Sequence, residues 1–186
     1  MSNAPNQTDF TPPTNIDLKK YIRTIPNYPH EGILFYDIST LLRNADAWQI
    51  ASARMAHGIA AWQPDLIAGI ESRGFVSASP LATALGCGMI MIRKPGKLPG
   101  KTISINYDLE YGQNCIHIQE DAIKPGQRVV IIDDLLATGG TLQAAIKLLR
   151  KTGANIIGAA ALVELKNLKG REKIDVPLFS AITYNE

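Results

Sequence analysis

VVIIDDLLATGG, residues 129–140, is the stretch from which the fold can be read. Four β-branched residues in succession are typical of a strand that is buried on both faces in a parallel sheet. Asp133 and Asp134 interrupt the apolar run, and Gly139 and Gly140 follow a few residues later. We therefore predict a strand at 128–132 that ends before the aspartates, then a glycine turn, then a helix from Thr141.

The rest of the chain alternates predicted helices with predicted strands, which indicates an α/β fold. The predicted helices are 44–62, 74–85 and 141–151, the buried strands are 66–70, 89–92, 128–132 and 156–162, and alternating residues at 102–107 and 114–119 predict a β-ribbon. We expect a mostly parallel central sheet flanked by helices, formed by a single domain over residues 17–186. Residues 1–16 are polar and contain prolines, and we expect them to form a disordered arm.

Composition and charge exclude several classes of protein. The chain has 186 residues, of which 46% are hydrophobic and 19% are charged, as in ordinary globular proteins. A net charge of +2 gives no support to a nucleic-acid partner, and no apolar run is long enough to span a membrane. Cys87 and Cys115 stand in unrelated contexts, which favours a reducing, cytoplasmic location.

The aspartates and glycines of the opening stretch favour a ligand site. In open parallel sheets, ligands bind beyond the carboxyl ends of the strands. Glycines let the backbone approach a ligand, and the free N–H groups at the start of the next helix favour an anion. A phosphate beside two carboxylates that accept bonds from hydroxyl groups describes a sugar phosphate. The alternative is a helix capped by Thr138 or Thr141 that follows a solvated strand end.

Two adjacent aspartates at the end of a buried strand also repel each other. We expect this arrangement to destabilise the free protein and to be compensated by ribose hydroxyls and cations in a complex, as in a binding site. Other signatures are missing: the sequence contains no G-x-x-x-x-G-K-[ST] motif, and its three histidines, His30, His57 and His117, are scattered.

Several further segments, together with the opening stretch, carry a family resemblance. They are IPNYP at 25–29, GILF at 32–35, AGIESRGF at 68–75, IRK at 92–94, GKLPG at 96–100, YDLEYG at 107–112, LVEL at 162–165 and LKGRE at 168–172. In order and spacing they resemble the type I phosphoribosyltransferases, and among these the enzymes that act on adenine. The resemblance extends from about residue 17 to residue 186. It implies the type I phosphoribosyltransferase fold, with a small N-terminal hood at about 25–40 and a flexible β-ribbon loop.

The resemblance implies that adenine and phosphoribosyl pyrophosphate react to give AMP and pyrophosphate. The residues that would cradle the 5′-phosphate form the 137–141 loop, namely Ala137, Thr138, Gly139, Gly140 and Thr141. Asp133 and Asp134 would face the ribose hydroxyls. Mg²⁺ would lie near them, carried by the substrate rather than bound directly by the protein, because magnesium retains most of its waters.

The same resemblance implies a set of cations for the pyrophosphate group. They are Arg73, after the first predicted strand of the sheet, and Arg93, Lys94 and Lys97, after the second. Without the resemblance, the second cluster would be interpreted as a solvated loop. In the family, some of these cations reach the site of the neighbouring subunit, which implies a homodimer.

For the base, the resemblance implies that Glu110 approaches the purine N7 and stabilises or transfers a proton. Leu34, Phe35 and Tyr36 of the hood would bind adenine, with Phe35 stacked on the ring and main-chain groups reading its amino edge. The chain departs from the family at Tyr36, where arginine is usual, and at 30–31, where His-Glu replaces Lys-Pro.

Base choice follows from a comparison at Ala137. Relatives that act on hypoxanthine and guanine have an acidic residue there, and a small apolar residue indicates adenine instead. Two alternatives stay open: a phosphoribosyltransferase for another purine such as xanthine, and a non-catalytic regulator that senses phosphoribosyl pyrophosphate. Such regulators carry an added DNA-binding domain, for which the residues before the matched region are too few.

Overall fold

The computed structural model describes residues 16–108 and 113–185. The chain divides into two units, of which the first ends at Ala51 and the second begins at Ser52. Among the described residues, no helix combines the length and the apolar character that crossing a membrane requires.

The first unit contains short elements. They are a 3₁₀ helix at Leu18–Tyr21, β1 (Arg23–Pro26), β2 (Leu34–Asp37), the single-turn helix α1 (Ser39–Leu42) and the first part of α2 (Ala45–Ala60), which runs across the division. β1 and β2 pair in antiparallel fashion, with Arg23 opposite Asp37, and these two side chains also form an ion pair. α2 begins after Asn44, whose side-chain oxygen accepts a hydrogen bond from the Ala47 N–H and caps the helix.

The second unit holds the remaining elements. In chain order they are β3 (Leu66–Ile70), α3 (Gly74–Leu85), β4 (Gly88–Ile92), β5 (Thr102–Asp108), β6 (Gln113–Gln119), β7 (Arg128–Leu136), α4 (Gly140–Arg150), β8 (Asn155–Leu165) and β9 (Leu178–Tyr184), with 3₁₀ helices at Lys166–Leu168 and Gly170–Lys173. Five of the strands form a parallel sheet in the order β4-β3-β7-β8-β9. The predicted parallel sheet is therefore confirmed.

β7 lies at the centre of this sheet, with β3 on one side and β8 on the other. All four residues of its β-branched run are fully buried, since both faces of the strand are covered. Val129 and Ile131 belong to one apolar cluster with Leu142, Ile146 and Leu149 of α4. α4 thereby fixes the carboxyl end of β7 relative to the turn that follows.

The predicted β-ribbon is the antiparallel pair of β5 and β6, with Thr102 opposite Gln119. Ile103, Ile105 and Tyr107 pack against the apolar cluster below α4, so one face of the ribbon is partly buried. Arg93, directly after β4, forms an isolated bridge with His117 of β6 and links the ribbon to the edge of the sheet.

The main departure from the predicted elements is the length of two strands. β7 does not end at Ile132, as predicted, but continues to Leu136, and β8 continues to Leu165 rather than ending at 162. β9 was not predicted, nor were the elements that precede α2. The extension of β7 changes the setting of the two aspartates, because they lie within the strand rather than beyond it.

Candidate active site at the carboxyl end of the parallel sheet

Asp133 and Asp134 point to opposite faces of β7, because successive residues of a strand alternate. Asp134 is buried, with 7% of its surface exposed, while Asp133 is half-buried. Asp133 Oδ1 accepts a hydrogen bond of 2.9 Å from the Asp134 N–H. The last residues of β7 thus present one carboxylate to each face of the sheet.

Asp134 has a cationic partner that the sequence pattern did not reveal. Arg73 Nε lies 2.5 Å from Asp134 Oδ2, although the two residues are 61 positions apart. A Cβ built at Gly74 would lie 2.8 Å from the Ile132 carbonyl oxygen, so the start of α3 packs directly on the backbone of β7. This close approach brings the Arg73 side chain to Asp134.

Asp133 has the opposite electrostatic environment. Burial, together with the neighbouring charge of Asp134, raises the pKa of Asp133 well above its ordinary value, and Arg73 offsets this only in part. The expected cost of two adjacent carboxylates therefore falls on Asp133, whereas Asp134 is paired. An added cation or a hydroxyl donor at this edge would favour the ionised form of Asp133.

The 137–141 loop connects β7 to α4. Gly139 has φ +79°, a left-handed conformation that side chains disfavour, and it stands directly before the first residue of α4. The first N–H groups of a helix have no partner within the helix and carry a partial positive charge. Thr141 also presents its hydroxyl here, with Oγ1 3.4 Å from the Tyr107 hydroxyl oxygen. The loop can therefore hold a phosphate group between backbone N–H groups and hydroxyls.

A segment from the end of the second unit packs on this loop, and sequence reasoning gave it no role. A Cβ built at Gly170 would overlap the Ala137 carbonyl oxygen and lie 2.8 Å from the Gly139 nitrogen. Arg171, the next residue, forms a two-point ion pair with Glu164 of β8. The motif LKGRE at 168–172 was the only sequence signal for this contact.

A further acidic residue, Glu71, forms hydrogen bonds with Arg93 and Lys94, two of the cations predicted to bind pyrophosphate. Its carboxylate accepts bonds from Arg93 Nε at 3.2 Å and from the Lys94 N–H at 2.8 Å. Burial alone would raise the pKa of Glu71, but these bonds outweigh it and the pKa lies below the ordinary value. Arg93 Nη1 also donates to the Lys97 carbonyl oxygen at 2.9 Å. Arg93 thus fixes the turn that carries Lys94 and Lys97.

The residues predicted to bind the base belong to other parts of the chain. Leu34, Phe35 and Tyr36 form most of β2 in the first unit, where Leu34 is exposed and Tyr36 is buried. The Phe35 ring lies edge-on to the Tyr28 ring, with the centroids 5.0 Å apart. Glu110 lies outside the described residues.

The carboxyl end of β7 offers the donor chemistry that Mg²⁺ requires. Asp133 and Asp134 supply hard carboxylate oxygens, near which a magnesium ion carried by a substrate would be favoured. Within 16–108 and 113–185, no group of three or more His, Cys, Asp or Glu residues is placed to hold a metal ion. One or two carboxylates suit a magnesium ion that is otherwise coordinated by water and substrate phosphates.

The chain is similar to a known family and to curated proteins of that family. A model of the family described as the phosphoribosyl transferase domain matches residues 39–185. Among curated proteins, the adenine phosphoribosyltransferase of Gluconobacter oxydans is 68% identical over 177 residues, covering 95% of this chain and 99% of that protein. That of Gluconacetobacter diazotrophicus is 63% identical over 171 residues, covering 92% of this chain and 97% of the relative.

The chain is also similar to solved structures of adenine phosphoribosyltransferases. The crystal structure of adenine phosphoribosyltransferase from Thermoanaerobacter pseudethanolicus superimposes with a TM-score of 0.87 at 45% identity, covering 90% of this chain and 98% of that one. The Saccharomyces cerevisiae enzyme, solved in complex with an imino-altritol bisphosphate and adenine, has a TM-score of 0.84 at 39% identity, with 88% and 96% of the two chains covered.

Proposed function

Because the chain belongs to the adenine phosphoribosyltransferases of the phosphoribosyl transferase family, we propose that it transfers the phosphoribosyl group of phosphoribosyl pyrophosphate to adenine. The products are AMP and pyrophosphate, a reaction of purine salvage. Family membership and the type I fold, both expected from the sequence motifs, are confirmed. The observation that carries the proposal is the convergence of Asp133, Asp134 and the 137–141 loop at the carboxyl end of one central strand.

In this reaction the bond between the anomeric carbon and the pyrophosphate oxygen breaks. A bond from a ring nitrogen of adenine to that carbon forms, and adenine loses a proton. The anomeric carbon gains positive charge as the leaving group gains negative charge, so the protein has to hold the ribose rigidly and neutralise pyrophosphate.

The 137–141 loop would bind the 5′-phosphate. The N–H groups at the start of α4 and the hydroxyls of Thr138 and Thr141 supply donors on one side of the turn. Gly139 has φ +79°, which glycine adopts readily, and this lets the chain turn from β7 into α4. A doubly charged phosphate at this position is attracted by the helix dipole and is held apart from the reacting carbon.

The two aspartates would accept hydrogen bonds from the ribose hydroxyls. Asp133 gains most from this, because its charge is only partly compensated in the free protein. Mg²⁺, carried by the substrate and held near Asp133 and Asp134, supplies charge neutralisation to the ribose and pyrophosphate oxygens.

Pyrophosphate would be bound by Arg73, Arg93, Lys94 and Lys97. Arg73 is 44% exposed on its side chain, so part of its guanidinium can reach a ligand while Nε stays on Asp134. In the family, cations of this set serve the neighbouring subunit, and we accordingly propose a homodimer. The residues of the turn after β4, held by Glu71 and Arg93, are the ones that would extend towards the partner.

The base would be bound by Leu34, Phe35 and Tyr36, with Glu110 at the purine N7. Tyr36 is buried to 9% exposure, so its side chain does not replace the arginine that is usual at this position in the family. The main-chain groups of Tyr36 would still form hydrogen bonds with the amino edge of adenine. Ala137 supplies no carboxylate to a base with a 6-oxo group.

Both cysteines are free, which accords with a cytoplasmic location. The function is tested by a product assay with phosphoribosyl pyrophosphate, Mg²⁺ and each purine in turn. We expect adenine to be preferred over hypoxanthine and guanine by about 10⁴-fold in kcat/KM. An acceptor that takes a hydrogen bond from the 6-amino group of adenine would be left without a donor when the base carries a 6-oxo group. Comparable turnover of hypoxanthine would refute the assignment.

A further inference from the structure

Gly170 and the 137–141 loop are in backbone-to-backbone contact. A Cβ built at Gly139 would overlap the Gly170 carbonyl oxygen, and a Cβ built at Gly170 would overlap the Ala137 carbonyl oxygen. Gly170 is buried, and its φ lies outside the left-handed range, so its conformation alone does not require glycine. What requires glycine at 170 is the space taken by the loop.

Gly170 is held in place by its neighbours rather than by the loop. Arg171 Nε and Nη2 donate to the two carboxylate oxygens of Glu164 at 2.9 and 2.6 Å. Arg171 Nη1 donates to the Leu178 carbonyl oxygen at 2.8 Å, and Nη2 lies 3.3 Å from Ser180 Oγ. A single guanidinium thus ties the segment of Gly170 to both β8 and β9.

Glu164 occupies a position that makes this tie relevant to the loop. It is only 2% exposed and pairs across the sheet with Leu136, the residue directly before Ala137. On the other side of the segment, Gln143 Nε2 of α4 donates to the Lys173 carbonyl oxygen at 3.3 Å. The segment therefore rests on β8, β9 and α4 while its glycine touches the loop.

We propose that Gly170 is a positioning residue for the phosphoribosyl substrate, and that the Glu164–Arg171 ion pair holds it against the 137–141 loop. The bare backbone of Gly170 sets the orientation of the Ala137–Thr138 and Thr138–Gly139 peptide groups, which lie beside the phosphate. This inference rests on the proposed function, since it needs the loop to bind the 5′-phosphate. Neither Gly170 nor Arg171 contacts substrate in the proposal.

The test compares two glycine-to-alanine variants that differ in where the added methyl group falls. In Gly170→Ala the methyl group meets the loop. In the control, Gly158→Ala, it meets the Trp62 ring, 2.5 Å from Cε3, in a strand position with an ordinary φ. Both substitutions overpack a buried contact and should lower the melting temperature. Only Gly170→Ala should change phosphate binding.

The measurements are steady-state kinetics and calorimetric titration with ribose 5-phosphate, a probe that needs no catalysis. For Gly170→Ala we expect the Kd for ribose 5-phosphate and the KM for phosphoribosyl pyrophosphate to rise about tenfold or more, because small displacements of binding groups are costly. The KM for adenine should change by less than about twofold, since the base is held elsewhere. For Gly158→Ala the Kd should match the wild-type protein.

Arg171 gives a second test that does not alter the contact itself. Arg171→Lys keeps the charge but loses the two-point geometry, and Arg171→Gln loses both. The Kd for ribose 5-phosphate should rise in the order wild type, Arg171→Lys, Arg171→Gln. This series decides the matter if Gly170→Ala does not fold.

Two results would overturn the inference. One is an unchanged Kd in Gly170→Ala and Arg171→Gln despite lowered melting temperatures, which would make the contact a matter of packing only. The other is a wild-type protein that does not bind ribose 5-phosphate. A protein that binds ribose 5-phosphate but does not convert adenine would instead refute the proposed function. In that case the Kd values of the variants would still show whether Gly170 positions the phosphate-binding loop.

Discussion

Arg73 Nε lies 2.5 Å from Asp134 Oδ2, so a residue of the turn after β3 neutralises one of the two aspartates at the end of β7. Asp133, its neighbour in the chain, has no comparable ion pair among the described salt bridges. The two carboxylates thus enter the proposed reaction in different electrostatic states, although the sequence presents them as a symmetric pair.

Substitution of the two aspartates should separate these states. Asp133→Asn is expected to keep or raise the melting temperature of the free protein, because the ionised form is disfavoured there. Asp134→Asn should lower the stability, because the buried carboxylate loses its charged bond to Arg73, whose side chain is 44% exposed, although Asn can still accept a hydrogen bond. Both variants should bind phosphoribosyl pyrophosphate more weakly. Thermal melts and calorimetric titration measure the two effects.

A matched control for these variants is Asp175→Asn. Asp175 forms a two-point pair with Arg150 but is 63% exposed on its side chain. It should change neither the affinity nor the melting temperature measurably, because exposed ion pairs contribute little. Unchanged affinity together with a large loss of stability in Asp133→Asn would identify the pair as a structural cap.

The free energy of unfolding should respond to pH in opposite directions through Asp133 and Glu164. The pKa of Asp133 is raised above 3.8 in the folded state, so its favourable contribution is present at low pH and is lost as pH rises through the folded-state pKa. The hydrogen bonds from Arg171 lower the pKa of Glu164 below 4.5, so its contribution is present above 4.5 and is lost as pH falls.

Denaturant unfolding of the wild type, Asp133→Asn and Glu164→Gln between about pH 3 and about pH 8 measures these contributions. Asp133→Asn should gain stability relative to the wild type as pH rises. The deficit of Glu164→Gln should shrink as pH falls below 4.5. Parallel curves for all three proteins would contradict both assignments.

Glu110→Gln should lower kcat by roughly 10²-fold or more and leave the Kd for phosphoribosyl pyrophosphate nearly unchanged, the usual result for a positioned acid or base. Glu120→Gln, an exposed change just after β6, is the control and should have no effect. An unchanged kcat in Glu110→Gln would reduce Glu110 to a turn residue, and a collapse of binding would make its role structural.

Glu71→Gln should weaken pyrophosphate binding through the turn that follows β4. The Lys94 N–H keeps an acceptor in this variant, but Arg93 loses a charged partner. A loss of about 1 kcal/mol, or roughly fivefold, is expected in the KM for pyrophosphate in the reverse reaction, with the KM for AMP unchanged. Equal changes in both KM values would show that Glu71 acts on the fold as a whole.

Periodicity predicted the layers of the second unit but not the strand ends. The β-branched run gave the centre of the sheet correctly, because burial on both faces leaves a continuous apolar stretch. The predicted end of β7 was wrong, because the first charged residue was taken to mark the point at which the strand leaves the core. Asp134 is nevertheless buried, and the reason is Arg73, a partner 61 residues away that no local pattern displays.

The missed strands have weak patterns for physical reasons. β9 is an edge strand in which only Ile182 is buried, so it lacks both a continuous and an alternating apolar signal. β1 and β2 have four residues each, and most of β1 is exposed. The contact of Gly170 with the 137–141 loop was also beyond local reasoning, because a glycine has no side chain whose chemistry could point to it.

The contact of Gly170 with the 137–141 loop has a consequence for the order in which the site is completed during synthesis. A nascent chain that has emerged as far as Leu165 already contains β7, the loop and α4, but it lacks Gly170 and Arg171. Domains generally fold as units, so a chain of this length still lacks residues that the folded site requires. Under the proposed positioning role, the phosphate-binding geometry of the 137–141 loop forms only after Arg171 has been synthesised and has reached Glu164.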